Sequence, residues 1–86
     1  MEEKKYEVIV KKKTSKSIRK FPKEIRERVD EAIEALADDP RPKGRREIKP
    51  GTWRIRIGRR YRVIYKIDDE KRTVTVTKAA TREGAY

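Results

Sequence analysis

No cysteine and no histidine occur among the 86 residues, and methionine, tryptophan and phenylalanine occur once each. The first absence excludes a disulfide framework, a thiolate nucleophile and a cysteine-based zinc site. The second removes the commonest metal ligand and the usual general base near neutral pH, so neither a metal nor another cofactor is expected. Long apolar runs are missing as well. The N-terminal MEEKKYEVIV lacks the stretch of a signal peptide, and no segment approaches the length of a membrane span. A cytoplasmic protein with no membrane partner is the expectation.

Charge is what the chain has in abundance. Lysine and arginine number 26 against 15 aspartate and glutamate, a net of +11. Residues 1–43 hold 13 basic and 10 acidic side chains (13 − 10 = +3), whereas residues 44–86 hold 13 and 5 (13 − 5 = +8). An excess concentrated in one half of a chain points to a polyanion-binding surface more than to a general solubility coat. Hydrophobic residues are only 34% of the chain, but they are periodic, so a folded domain with a thin core is expected. A chain this short supports one core, hence a single domain over 1–86.

Residues 5–12, KYEVIVKK, alternate as a strand does, and Thr14 or Ser15 is placed to cap a short helix running to Lys20. Pro22 then starts a second helix, whose apolar residues Ile25, Val29, Ala32, Ile33 and Leu36 recur at helical spacing. The prolines of DDPRPKG, residues 38–44, stop it. After a short segment at 46–49 and a Pro50–Gly51 turn, strands are expected at 53–57, 61–67 and 73–79. This order predicts an α+β domain in which a small antiparallel sheet of three to four strands packs on two helices.

The stretch TWRIRIGRRYRVIYK, residues 52–66, crowds arginines into two of those strands. Trp53, Ile55 and Ile57 fall on one face and Arg54 and Arg56 on the other, while Tyr61, Val63 and Tyr65 oppose Arg62. A two-residue hairpin loop would mix charge into the core. A three-residue loop, Gly58 to Arg60, pairs Ile57 with Tyr61 and Arg56 with Arg62, so the apolar faces coincide. Arg54, Arg56 and Arg62 then share the face turned away from the helices. A like-charge cross-strand pair costs a few tenths to about 1 kcal/mol, which an anionic ligand would relieve. Trp53, Tyr61 and Tyr65 read as core or core-edge packing. Lys11, Lys12 and Lys13 read as a solvated strand end.

The element order, together with FPKEIRERVDEAIEALADDPRPKG, WRIRIGRRYRVIYKIDD and the tail from Arg82 to Tyr86, resembles the RelE/ParE superfamily of toxins from toxin–antitoxin operons. The resemblance covers almost the whole chain. It implies a β-α-α-β-β-β fold and, in RelE-type members, a ribosome-dependent endoribonuclease that cleaves mRNA without metal by 2′-hydroxyl attack. Carried over by position, it implies catalytic roles for Arg54, Arg56, Arg62, Arg82 and Tyr86. It also implies a cognate acidic antitoxin, with the ribosome and mRNA as further partners. Family members often have lysine where Arg54 and Arg56 stand, and a glycine followed by a basic residue where Ala79, Ala80 and Thr81 stand here.

Arg45, Arg46, Lys49, Arg59, Arg60 and Lys78 are expected to add diffuse attraction to RNA phosphates. Two alternatives remain open: a ParE-like inhibitor of DNA gyrase, and a catalytically inactive or designed RelE-fold RNA-binding protein.

Overall fold

A computed structural model describes residues 5–84; Tyr86 lies outside them. The elements are β1 (Glu7–Val10), α1 (Lys12–Arg19), α2 (Lys23–Ala35), β2 (Arg46–Lys49), β3 (Thr52–Ile57), β4 (Tyr61–Asp68) and β5 (Thr73–Thr81). Among the described residues the strands form one sheet in the order β1-β5-β4-β3-β2, with both helices on one face. The α+β class follows the sequence pattern. Four strands are antiparallel neighbours, but β1 joins the far edge parallel to β5, pairing Val8 with Val74 and Val10 with Val76. Alternation fixes which residues of a strand face the core, not the direction of its neighbour.

The first helix departs from expectation at its start. Neither Thr14 nor Ser15 caps it: Lys11 is the N-cap, without a side-chain bond, and the Ser15 amide donates to the Lys11 carbonyl at 2.9 Å. Thr14 is instead buried at 3% exposure inside the helix. Lys12 and Lys13 therefore occupy a first turn, beside the positive end of the helix dipole, where cations are unfavourable. They do not end a strand. The second helix begins after Pro22 as its N-cap, with Glu24 in the first turn where a carboxylate is favoured. It tightens at its end, where the Leu36 amide donates to the Ile33 carbonyl at 3.1 Å.

The core lies between the helices and one face of the sheet. Ile18, Val29, Ile33 and Leu36 meet Ile55, Ile57, Val63, Tyr65, Val74, Val76 and Ala79, with Trp53 and Tyr61 packed at the edge. The β3–β4 hairpin adopts the register that the pattern requires: Ile57 faces Tyr61, Ile55 faces Val63 and Arg56 faces Arg62 across a three-residue loop. The left-handed residue of that loop is its first, Gly58, at φ +64°. A side chain there would be strained whatever the space around it.

Tyr65 is fully buried, and its hydroxyl donates to the Pro40 carbonyl at 2.8 Å. That bond ties β4 to the loop following α2. Burial, reinforced by nearby Asp39, pushes the Tyr65 phenol up to about 12.

Candidate functional site

Strand pleating makes the second face of the sheet a surface of cations. In cross-strand register, Arg46 of β2 stands against Arg54 of β3, and Arg56 of β3 against Arg62 of β4. Two like-charge pairs are thus adjacent, each of a kind that weakens a sheet by up to about 1 kcal/mol. Ile64 sits in the Arg54 row and Ala80 in the Arg62 row. Ile64 is buried yet does not belong to the core cluster, as expected of an aliphatic side chain lying under arginine stems on the open face.

These residues line a hollow of about 650 Å³, walled by Arg46, Arg54, Arg56, Arg59, Arg62 and Arg82 together with Glu47, Ile48 and Gly58. Six guanidinium groups against one carboxylate give the lining a net of +5 (6 − 1). Low-dielectric walls of one sign focus the potential and draw in anions. Planar guanidinium forks suit phosphate oxygens, which they hold bidentately.

The arginines are not loose surface cations. Arg54 and Arg62 are each only 5% exposed, in contrast to the fully solvated outer face that the charge pattern alone allows. Their burial comes from the side chains crowded around them, which strand alternation does not reveal. Arg62 Nη1 donates to the carbonyls of Arg59 at 3.1 Å and Tyr61 at 3.0 Å, so its guanidinium is oriented by the hairpin. Arg56 remains exposed. The hairpin also holds the tail: the Arg82 amide donates to the Arg60 carbonyl, which brings Arg82 to the hollow.

Four of the five residues expected to be catalytic, Arg54, Arg56, Arg62 and Arg82, are thereby brought together; Tyr86 lies outside the described residues. Of the six expected to contact RNA, Arg46 and Arg59 line the same hollow, and Arg45 lines an adjoining one with Lys43, Arg46, Arg54 and Arg56. Arg60 is exposed in the hairpin loop and does not line the hollow. Lys78 is exposed on the open face beside Ile64. Lys49 lies apart, in a separate concavity with Lys66 and Ile9.

Sequence reasoning missed Glu47 and Ile48. Glu47 faces Trp53 in register and its Oε2 accepts the Gly51 amide at 3.2 Å, yet it also lines the hollow. Ile48 shares the face of Arg46 by strand alternation, and a β-bulge between Glu47 and Lys49 leaves it without a cross-strand partner. The alternation of Arg46 and Ile48 was the signal that could have found it.

Comparison with known proteins bears on what such a hollow does. Residues 8–84 match the family model described as the ParE toxin of the type II toxin–antitoxin system parDE. A Methanocaldococcus jannaschii protein designated toxin RelE1 is 32% identical over 95% of this chain and 96% of its own length. In the crystal structure of the archaeal RelE–RelB complex from Pyrococcus horikoshii, a chain 26% identical superposes with a TM-score of 0.78, covering 94% of this chain and 99% of that one. A chain of the RelBE2 toxin–antitoxin complex from Mycobacterium tuberculosis is 28% identical, with a TM-score of 0.76 and coverage of 90% and 98%.

Proposed function

The chain belongs to the ParE toxin family of type II toxin–antitoxin systems, within the RelE/ParE superfamily, and from that premise we propose that it is a ribosome-dependent mRNA endoribonuclease working without a metal. The observation that carries this reading is the hollow with its two like-charge arginine pairs, Arg46 against Arg54 and Arg56 against Arg62. Such crowding is unfavourable in the free protein and becomes favourable when a polyphosphate chain enters.

In the proposed reaction a ribose 2′-oxygen bonds to the adjacent phosphorus while the bond to the 5′-oxygen breaks, leaving a cyclic 2′,3′-phosphate and a 5′-hydroxyl. Negative charge grows on the phosphoryl oxygens and on the departing oxygen. Arg54, Arg56 and Arg62, held in place before the reaction, stabilise that charge without reorganising. Arg82 clamps the phosphate or protonates the departing 5′-oxygen. Arginine is a poor base because it stays protonated above pH 12. The 2′-proton therefore goes to a different group: Glu47, the carboxylate of the lining, or Tyr86 as its phenolate.

The family model itself favours a second reading, since its description is of the ParE branch; a ParE-like toxin would act on DNA gyrase. Either way the partner that restrains the toxin is an acidic antitoxin, a reading supported by the two solved complexes, in which related chains are paired with RelB-type proteins.

The two readings separate by inducible expression with mapping of mRNA 5′ ends. New ends in translated messages, dependent on ribosomes and absent from the Arg54→Gln/Arg56→Gln/Arg62→Gln variant, support the nuclease. Growth arrest with intact messages and DNA-damage signalling would overturn it in favour of gyrase.

A further inference from the structure

Guanidinium groups engaged with phosphate oxygens fix position without reading the base; a base is read by groups that meet its face or edge. Few residues of the hollow offer a base an apolar surface. Ile48 does. Among the described residues only Ile9 and Ile48 are large hydrophobics exposed by more than a third, Ile48 at 39%. Single exposed aliphatics are ordinary on a protein surface, so its placement decides the matter.

Ile48 is the unmatched residue of the β2 bulge, between Glu47 opposite Trp53 and Lys49 opposite Thr52. Strand alternation puts Ile48 on the face of Arg46, two residues before it, and it lines the hollow with Arg46, Arg54 and Arg56. The bulge takes Ile48 out of the hydrogen-bonded ladder, and bulges recur beside functional sites. This one is pinned, since the Glu47 carboxylate accepts the Gly51 amide at 3.2 Å and Gly51 adopts φ +79°. Ile9, in contrast, lies at the opposite edge of the sheet, in a concavity with Lys49, Lys66 and Asp68.

We propose that Ile48 is a specificity-determining residue, its exposed aliphatic surface packing on the nucleobase next to the phosphate held by the arginines. The inference rests on the nuclease reading and deepens it. Bases that shield this surface well are cut in preference, and removing the side chain weakens that preference by roughly fivefold, the effect of a few tens of Å² of apolar contact.

The test is cleavage of a defined message during translation in vitro, with cut sites and their frequencies mapped for the natural chain and for the Ile48→Ala and Ile48→Leu variants. Thermal melts serve as the control for folding. The expected result is an altered distribution of cut sites for Ile48→Ala and a distribution near the natural one for Ile48→Leu. Cleavage by all three chains with the same distribution overturns the inference and leaves the nuclease reading intact. So does an Ile48→Ala variant that only loses antitoxin affinity, which would assign the residue to a protein interface. If the natural chain cuts nothing, the nuclease reading fails and this inference fails with it.

Discussion

Strand β4 connects two ends of the molecule that use arginine in opposite ways. At its start, Arg62 sits among five other arginines in a hollow with one carboxylate. Beyond its finish, Asp69 accepts bonds from Arg41 at 2.9 and 3.3 Å and from the Tyr6 hydroxyl at 2.6 Å. Arg41 lies 5.5 Å over the Trp53 ring as well, and Arg72 lies 5.0 Å over Tyr6. The Arg41 hydrogen bonds hold the Asp69 carboxyl below the usual carboxylate range, and the same bonds raise Arg41. At this second end cations face a carboxylate and aromatic rings; at the first, cations face cations across the strands. The difference teaches that net charge alone does not locate function in so basic a protein. The crowding of like charges does.

The largest effect expected from breaking this contrast is on activity. The Arg54→Gln/Arg56→Gln/Arg62→Gln variant should lose at least ~100-fold in ribosome-dependent cleavage, the scale of removing a preorganised donor to transition-state charge. Its urea midpoint should change little, because relief of like-charge repulsion offsets the loss of the Arg62 bonds to the Arg59 and Tyr61 carbonyls. A clear loss of stability would show that the arginines are structural.

Anions should sharpen the contrast next. Phosphate or sulfate at ~0.1 M should raise the melting temperature of the natural chain by roughly 5 °C more than that of the triple variant, by occupying the hollow. Equal shifts would reduce the effect to general salt behaviour.

At the other end, Tyr65→Phe should cost about 1–2 kcal/mol in urea unfolding by leaving the buried Pro40 carbonyl unsatisfied, with cleavage unchanged. The phenol ionises near 10 when unfolded but at about 12 when folded. Between those values the unfolded state has already released its proton and the folded state has not, so stability falls as pH rises from 10 to 12. The Phe variant should show a shallower decline there.

The smallest effect belongs to Asp69→Asn. Asp69 is exposed, so solvent screening leaves its pair with Arg41 little net worth. Its lowered carboxyl contributes stability that is present above pH 4 and fades as pH falls through the folded value. A melt only slightly below that of the natural chain at neutral pH, with the difference closing toward pH 3, is the expected outcome.

Much of the fold could be read from short-range pattern. The alternation of Trp53, Ile55 and Ile57 against Tyr61, Val63 and Tyr65 dictated the hairpin length and hence the Arg56–Arg62 pair. What escaped were features decided at a distance. The parallel seat of β1 depends on β5, more than sixty residues away. The depth of Arg54 and Arg62 depends on neighbours drawn from several strands, and the pairing of β2 with β3 that brings Glu47 and Ile48 beside the arginines carries a bulge with no distinctive sequence. The start of α1 escaped for a different reason. Thr14 has the chemistry of a cap but is used for packing.

The parallel seat of β1 bears on the order of assembly. Among the described residues β5 follows every other strand in sequence, yet it lies between β1 and β4, so β1 waits unpaired until β5 has been synthesised. The Arg60 carbonyl likewise cannot secure Arg82 before that residue exists. A nascent chain that still lacks β5 and Arg82 therefore has neither the seat for its first strand nor a complete arginine hollow.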